Sequence, residues 1–189
     1  MGGDGNDRLR GGAGVNELRG EGGRDTIVNP TVSDTVAGTP VSIDLRTVLT
    51  ATSTDTGGEV SELPQNAGYL DEWDEFFVEV WGSTPSDAVT SVEGFEVALG
   101  FDADLFTAST TVVGPAFTDA QQSSVDESGG VVTVSAGTSL TESGRDDFVL
   151  LFRVAFAPRA NGGLANNFRD RYILPHNDAR FEATDVVIE

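Results

Sequence analysis

Asp7, Asn16, Asp25 and Asp34 recur every nine residues, and two positions after each comes an aliphatic: Leu9, Leu18, Ile27 and Val36. Glycines crowd the positions ahead of the first three, as in the opening unit GGDGNDRLR at 2–10. Glycine accepts positive φ and has no Cβ, so such a turn can bring several carbonyl oxygens close together. Carboxylates and carbonyls gathered this way are the ligands of a hard cation, and Ca²⁺ takes about six to eight of them. The chemistry on offer is ion binding rather than proton transfer. The following units are GGAGVNELR (11–19), GEGGRDTIV (20–28) and NPTVSDTVA (29–37); the last has lost its glycines but keeps both columns, the mark of a decaying repeat.

The units follow G-G-x-G-x-D-x-U-x and resemble the RTX (repeats-in-toxin) nonapeptide. The first fits every fixed position, the second has Asn16 for Asp, and the third has Glu21 for the second Gly. The resemblance implies a parallel β-roll in which each unit gives a turn of about six residues and a strand of about three, with two units to a coil. Coils stack at an inter-strand spacing of about 4.8 Å, so Asp7 is expected over Asp25 and Asn16 over Asp34. By analogy with the family, Gly3, Gly5, Gly20 and Gly22 lend carbonyls to the Asp7/Asp25 pair. That site has two carboxylates and is expected to fill. Asn16/Asp34 has one, with Pro30 and Thr31 where glycines would stand, and is expected to be weak or empty. One aliphatic per unit cannot offset an ordering cost of about 1–2 kcal/mol per residue. Ca²⁺ therefore has to supply the folding energy, and the segment is expected to be disordered without it. The alternative, a plain Gly/Asp linker, is disfavoured by the two columns that persist through every unit.

From residue 41 the period changes to two, the signature of half-buried strands. VSIDL (41–45) alternates, and 46–74, rich in Thr, Ser, Gly and acids, reads as a long flap. Strong strand signals follow in EFFVEVW (75–81), GFEVALGF (94–101), TASTTVVG (107–114), GVVTVSAG (130–137), FVLLFRVAF (148–156) and FEATDVVIE (181–189). Alternation sets Phe95, Val97, Leu99 and Phe101 on one side of their strand, and Phe148, Leu150, Phe152, Val154 and Phe156 on one side of theirs, stopping at Pro158. With Phe76, Val78 and Val80 these suffice for one core. No apolar stripe at helical period exceeds two turns. The fold class is all-β: a short parallel β-roll of the RTX type (2–37), then an antiparallel β-sandwich or jelly roll (41–189) carrying the flap.

The chain has 189 residues, 31 of them acidic against 11 Arg and no Lys, for a formal charge of −20. Such a charge repels nucleic acid and anionic membrane surfaces. It suits cations, solubility or a salty medium. There is no Cys, which argues against redox chemistry and a disulfide framework. No apolar run approaches the roughly 20 residues of a membrane span. The repeats begin at residue 2, so the chain is expected to be a segment of a longer protein whose export signal lies outside it.

From Trp73 to Pro158 the order FFVEVWGS, VEGFEVALGFDADLF, GGVVTVSAG, FVLLFRVAFAP resembles cohesin and related carbohydrate-binding-module-like domains, including the aromatic-Asp-x-x-Leu turn at Phe101-Asp102-Ala103-Asp104-Leu105. The resemblance implies docking to a dockerin-like protein through one sheet face; a spacer role in a long adhesin is the alternative. Sites of other kinds have poorer support. DEWDE (71–75) gathers carboxylates around Trp73 but reads as a solvated loop, and Asp102 with Asp104 as turn-formers. His176 has no nucleophile context, and no Gly pair beyond the repeats has the strand–Gly–helix order of a phosphate cradle. The expected function is a non-catalytic, calcium-binding adhesion or scaffolding module, extracellular or at the cell surface. A carbohydrate-binding module, with Trp73, Trp81 or an exposed Phe stacking on a polysaccharide, and a non-catalytic appendage of a secreted hydrolase are the alternatives.

Overall fold

Every described element is a β-strand. The computed structural model describes residues 3–4, 8–10, 17–19, 21–22, 26–28, 35–37, 41–71, 75–83, 91–143, 148–159, 173–175 and 181–188. The first six strands are short: β1 (Gly3–Asp4), β2 (Arg8–Arg10), β3 (Glu17–Arg19), β4 (Glu21–Gly22), β5 (Thr26–Val28) and β6 (Thr35–Ala37). Then come β7 (Val41–Val48), β8 (Glu59–Val60), β9 (Tyr69–Asp71), β10 (Phe76–Ser83), β11 (Ser91–Gly100), β12 (Phe106–Val113), β13 (Asp119–Asp126), β14 (Val131–Ser143), β15 (Phe148–Pro158), β16 (Ile173–Pro175) and β17 (Glu182–Ile188).

Two sheets make the sandwich. One runs β12-β15-β10-β7 and continues into β5 and β2, with β8 added on β15; the other runs β13-β14-β11-β17. Pairing inside the sandwich is antiparallel. The alternation of β10 explains its central place: Phe76, Val78 and Val80 are fully buried between the sheets. Phe95, Val97 and Leu99 of β11, with Val132, Val134 and Ala136 of β14, meet them from the other side. The aromatics fall into two groups. Phe76 stacks on Phe156 (5.9 Å) and meets Phe106 edge-on (5.3 Å), while Phe95 stacks on Phe152 (5.8 Å) and meets Phe117 edge-on (4.9 Å). Such contacts add roughly 0.5–1.5 kcal/mol each beyond the area they bury.

The strict alternation expected along 148–156 breaks at a bulge. Val80 pairs with Phe152 but Trp81 with Leu150, so Leu151 is an extra residue on β15. Leu151 joins Phe152, Val154 and Phe156 in the core cluster, and Leu150, buried at 1% exposure, does not. A bulge of this kind resets the phase of side chains beyond it. The strand also runs through Pro158, which pairs with Phe106. The segment expected as a flap opens inside β7, which extends to Val48, and contributes β8 to the larger sheet and β9 to a pair with β16.

Candidate functional site

Strands β2, β3, β5 and β6 occupy the last three positions of the four nine-residue units. They pair in parallel, each with the strand two units away. The register is Arg8↔Thr26, Leu9↔Ile27 and Arg10↔Val28 for β2/β5, and Glu17↔Thr35, Leu18↔Val36 and Arg19↔Ala37 for β3/β6. β1 and β4 repeat the same offset, Gly3↔Glu21 and Asp4↔Gly22, although nothing in the sequence signals these two strands. Every pairing is offset by eighteen residues, the length of a two-unit coil. In the chain, Asp7 and Asp25 immediately precede β2 and β5, and Asn16 and Asp34 immediately precede β3 and β6. Carboxylates with glycine carbonyls, as the sequence of these units offers them, are a donor set that suits Ca²⁺. Gly3 and Gly22 stand in β1 and β4; Gly5, Asp7, Asn16, Gly20, Asp25 and Asp34 lie outside the described residues, as do Trp73 and His176. Among the described residues no group of three or more His, Asp or Glu is gathered to hold a metal ion.

The two outer faces of the sandwich differ. Over the larger sheet, Glu79 and Trp81, which point away from the core, are both fully buried. Thr52 N–H donates to Glu79 Oε1 (2.8 Å), Arg153 Nη1 donates to Thr52 O (3.2 Å), and Leu150 N–H donates to Gly58 O (2.9 Å). The Thr52 bonds tie the segment after β7 down over this face, and the Gly58 bond continues the β8–β15 pairing at the sheet edge. Arg153 Nη1 lies 3.7 Å from Glu79 Oε1, while Glu79 Oε2 and Trp81 Nε1 have no hydrogen-bond partner among the described residues. Arg46, opposite Glu79 on β7, turns instead to Asp44 (3.2 Å). Burial pushes the Asp44 carboxyl above its ordinary value, and the Arg46 guanidinium draws it part of the way back.

The face of the smaller sheet is open. Gln122, Ser135, Glu96 and Val187 form one row across its four strands, and Ser124, Thr133, Ala98 and Asp185 the next. A shallow groove of about 300 Å³ lies at one end, with Glu93 and Glu96, Gln122 and Ser135, and Gly137 and Val187 along it. Val187 is 53% exposed. Small polar residues, the acids Glu93, Glu96 and Asp185, and the aliphatics Ala98 and Val187 make this surface mixed.

Other candidates resolve as turn chemistry. Asp102 Oδ1 accepts from Asp104 N–H (3.0 Å), and Asp102 O accepts from Leu105 and Phe106 N–H, closing the turn into β12. Asp126 Oδ1 accepts from Gly129 N–H (2.9 Å), Ser128 Oγ (2.7 Å) and Ser128 N–H (3.0 Å). The Gly129 bond first, then the Ser128 hydroxyl, hold that carboxyl below the usual range. Trp81, considered as a sugar platform, is fully buried and presents no ring face. The exposed aromatic among the described residues is Tyr69, in β9.

Residues 1–28 match the family described as the RTX calcium-binding nonapeptide repeat (4 copies). Among solved structures the chain is similar to a non-cellulosomal cohesin from the archaeon Archaeoglobus fulgidus, at 17% identity and TM-score 0.37 over 49% of this chain and 66% of that one. It is similar to a type I cohesin–dockerin complex from Clostridium thermocellum (9% identity, TM-score 0.40, 61% and 80% covered). A type II cohesin module of a scaffoldin from Acetivibrio cellulolyticus gives 9% identity and TM-score 0.40, with 65% and 66% covered. The chain thus spans just under two thirds of the archaeal cohesin. No curated protein matches the chain. Among the described residues no helix is long and apolar enough to cross a membrane.

Proposed function

We propose that this chain is a calcium-stabilised, non-catalytic docking module of a larger secreted or cell-surface protein. Repeats 2–37 bind Ca²⁺, and the sandwich 41–189 offers one sheet face to a protein partner. The observation that carries the first half is the parallel eighteen-residue register of β1/β4, β2/β5 and β3/β6. Asp7 and Asp25 hold the stronger site with carbonyls of Gly3, Gly5, Gly20 and Gly22; Asn16 and Asp34 hold the weaker one. Bound Ca²⁺ supplies charge neutralisation between facing carboxylates, and the chain's own residues supply the turns, the oxygens and an aliphatic column. Sites of this kind outside cells commonly work at about 10⁻⁴–10⁻³ M, so the roll folds after export.

The second half rests on the contrast between faces. Thr52 is held over the larger sheet, where Glu79 and Trp81 are fully buried, whereas the β13-β14-β11-β17 face is mixed and open. A non-obligate protein interface taken whole is about as polar as the rest of a protein surface, and a dockerin-like partner is the kind that the cohesin resemblance of the sequence implies. A sugar platform needs an exposed aromatic row, and the described residues supply only Tyr69, in β9, which is not a strand of this sheet. The test is a Ca²⁺ titration of the full chain followed by circular dichroism and calorimetry. A gain of β-signal with Ca²⁺, absent in the Asp7→Ala plus Asp25→Ala protein, is expected; an equal response in that double variant refutes the site.

A further inference from the structure

The free side of β7 is occupied by two different segments. At one end Thr47 is held by the connection that follows it: its N–H donates to Asn66 Oδ1 (2.8 Å) and its C=O accepts from Ala67 N–H (2.7 Å). Successive residues of a strand turn their N–H and C=O to opposite sides, so Val41 and Ile43, in phase with Thr47, present theirs to that same free side. There lies β5, in parallel register Thr26↔Val41, Ile27↔Ser42 and Val28↔Ile43. β5 also lies against β17, an edge of the opposite sheet. A three-residue strand of the third repeat thus extends the larger sheet and stands at the seam between the sheets. Beside it are Val41 and Ile43, at 5% and 0% exposure.

We propose that the 41–43 edge of β7 is the docking surface of the calcium-loaded repeat, so that ion binding by the roll and closure of the sandwich edge are one linked equilibrium. The proposal rests on the calcium reading above. Without the ion, residues 2–37 bury too little to keep β5 ordered, and the 41–43 edge loses its partner. With the ion, β5 joins by strand addition, main chain to main chain. The linkage is reciprocal: whatever stability the docked strand adds to the sandwich, the sandwich adds to calcium affinity. The Thr47 end does not share in this, because its partners come from within the sandwich sequence.

Hydrogen–deuterium exchange of the full chain, in Ca²⁺ and in chelator, reads both parts at once. Ca²⁺ is expected to slow exchange across 2–37 and to slow the Val41 and Ile43 amides, the two that face β5, by about tenfold or more, with the 47–48 and 66–67 amides unchanged. Val41 has a partner on β5 but none on β10, so Val41→Pro removes an edge N–H while sparing the pairing within the sandwich. That variant is expected to keep the calcium response of 2–37 and lose most of the response at Ile43; the 47–48 peptide reports that its sandwich is intact. Asp7→Asn with Asp25→Asn is expected to lose both responses. A calcium response in 2–37 with Val41 and Ile43 unmoved, or full protection of Ile43 in Val41→Pro, overturns the linkage and leaves the calcium site standing. No response in 2–37 overturns both.

Discussion

Arg153→Met is expected to destabilise the sandwich far more than a surface arginine should. Glu79 is fully buried, and its compensation among the described residues is thin: a Thr52 N–H at 2.8 Å and the Arg153 guanidinium at 3.7 Å, with Oε2 unpartnered. Arg46, the other cross-strand neighbour, is engaged by Asp44. Two charges at that distance attract by about 4–5 kcal/mol at an effective dielectric near 20. Stripping one partner from a buried pair typically costs about 3–5 kcal/mol. The Arg153 side chain is 24% exposed, so solvent already screens part of this, and the Thr52 N–H remains. A loss of about 2–3 kcal/mol is therefore expected, which lowers the thermal midpoint of a chain this size by roughly 5–10 °C. Glu79→Gln keeps an acceptor for Thr52 and removes the charge, so it should cost only about 1 kcal/mol. Placed on that background, Arg153→Met should cost less than about 1 kcal/mol, leaving a coupling near 1.5–2 kcal/mol. Urea unfolding followed by the emission of Trp81, fully buried on the same strand as Glu79, in a Trp73→Phe background, measures all four proteins. Equal costs of Arg153→Met in the two backgrounds would refute the idea that this arginine neutralises Glu79.

Three further outcomes follow from the coordinates and the repeat. Gly114→Ala would put a Cβ 1.7 Å from the Leu150 carbonyl oxygen, a collision with backbone that no rotamer relieves; loss of more than about 3 kcal/mol or failure to fold is expected, read by soluble yield and urea midpoint. Asp44→Asn should stabilise the protein at neutral pH, because burial raises the folded carboxyl above its unfolded value of 3.8. The folded state then binds the proton more tightly, so the penalty is full above the folded pKa, shrinks as pH falls through it, and is gone below 3.8. Thermal midpoints of parent and variant should accordingly converge in acid, and a constant gap would refute the assignment. Asn16→Asp should give the weaker site a second carboxylate, raising the calcium stoichiometry measured by calorimetry; an unchanged stoichiometry counts against pairing Asn16 with Asp34.

What the sequence disclosed, and what it hid, divides along one physical line. The repeat was legible because its information is covalent: a column every nine residues fixes where β2, β3, β5 and β6 begin before any tertiary contact exists. β10 and β11 were legible because a half-buried strand writes its burial as alternation. β13 was not, since all eight of its residues are exposed and DAQQSSVD carries no apolar period; it is a strand because β14 pairs with it. On β15 the alternation misled, because a bulge is a property of the pairing with β10, not of the strand alone. Trp81 could stand among the stacking candidates of the carbohydrate alternative because its full burial depends on what lies over the outer face of the sheet. The open face is the extreme case. Gln122, Ser135, Glu96 and Val187 become one row only when four strands align. The same holds for the joint between β5 and β7, where two segments with different sequence grammars share a single sheet. A change of sequence period therefore marks a change in what stabilises the backbone, but the sheet crosses it without a break, and that crossing is where an ion bound to one part can act on the other.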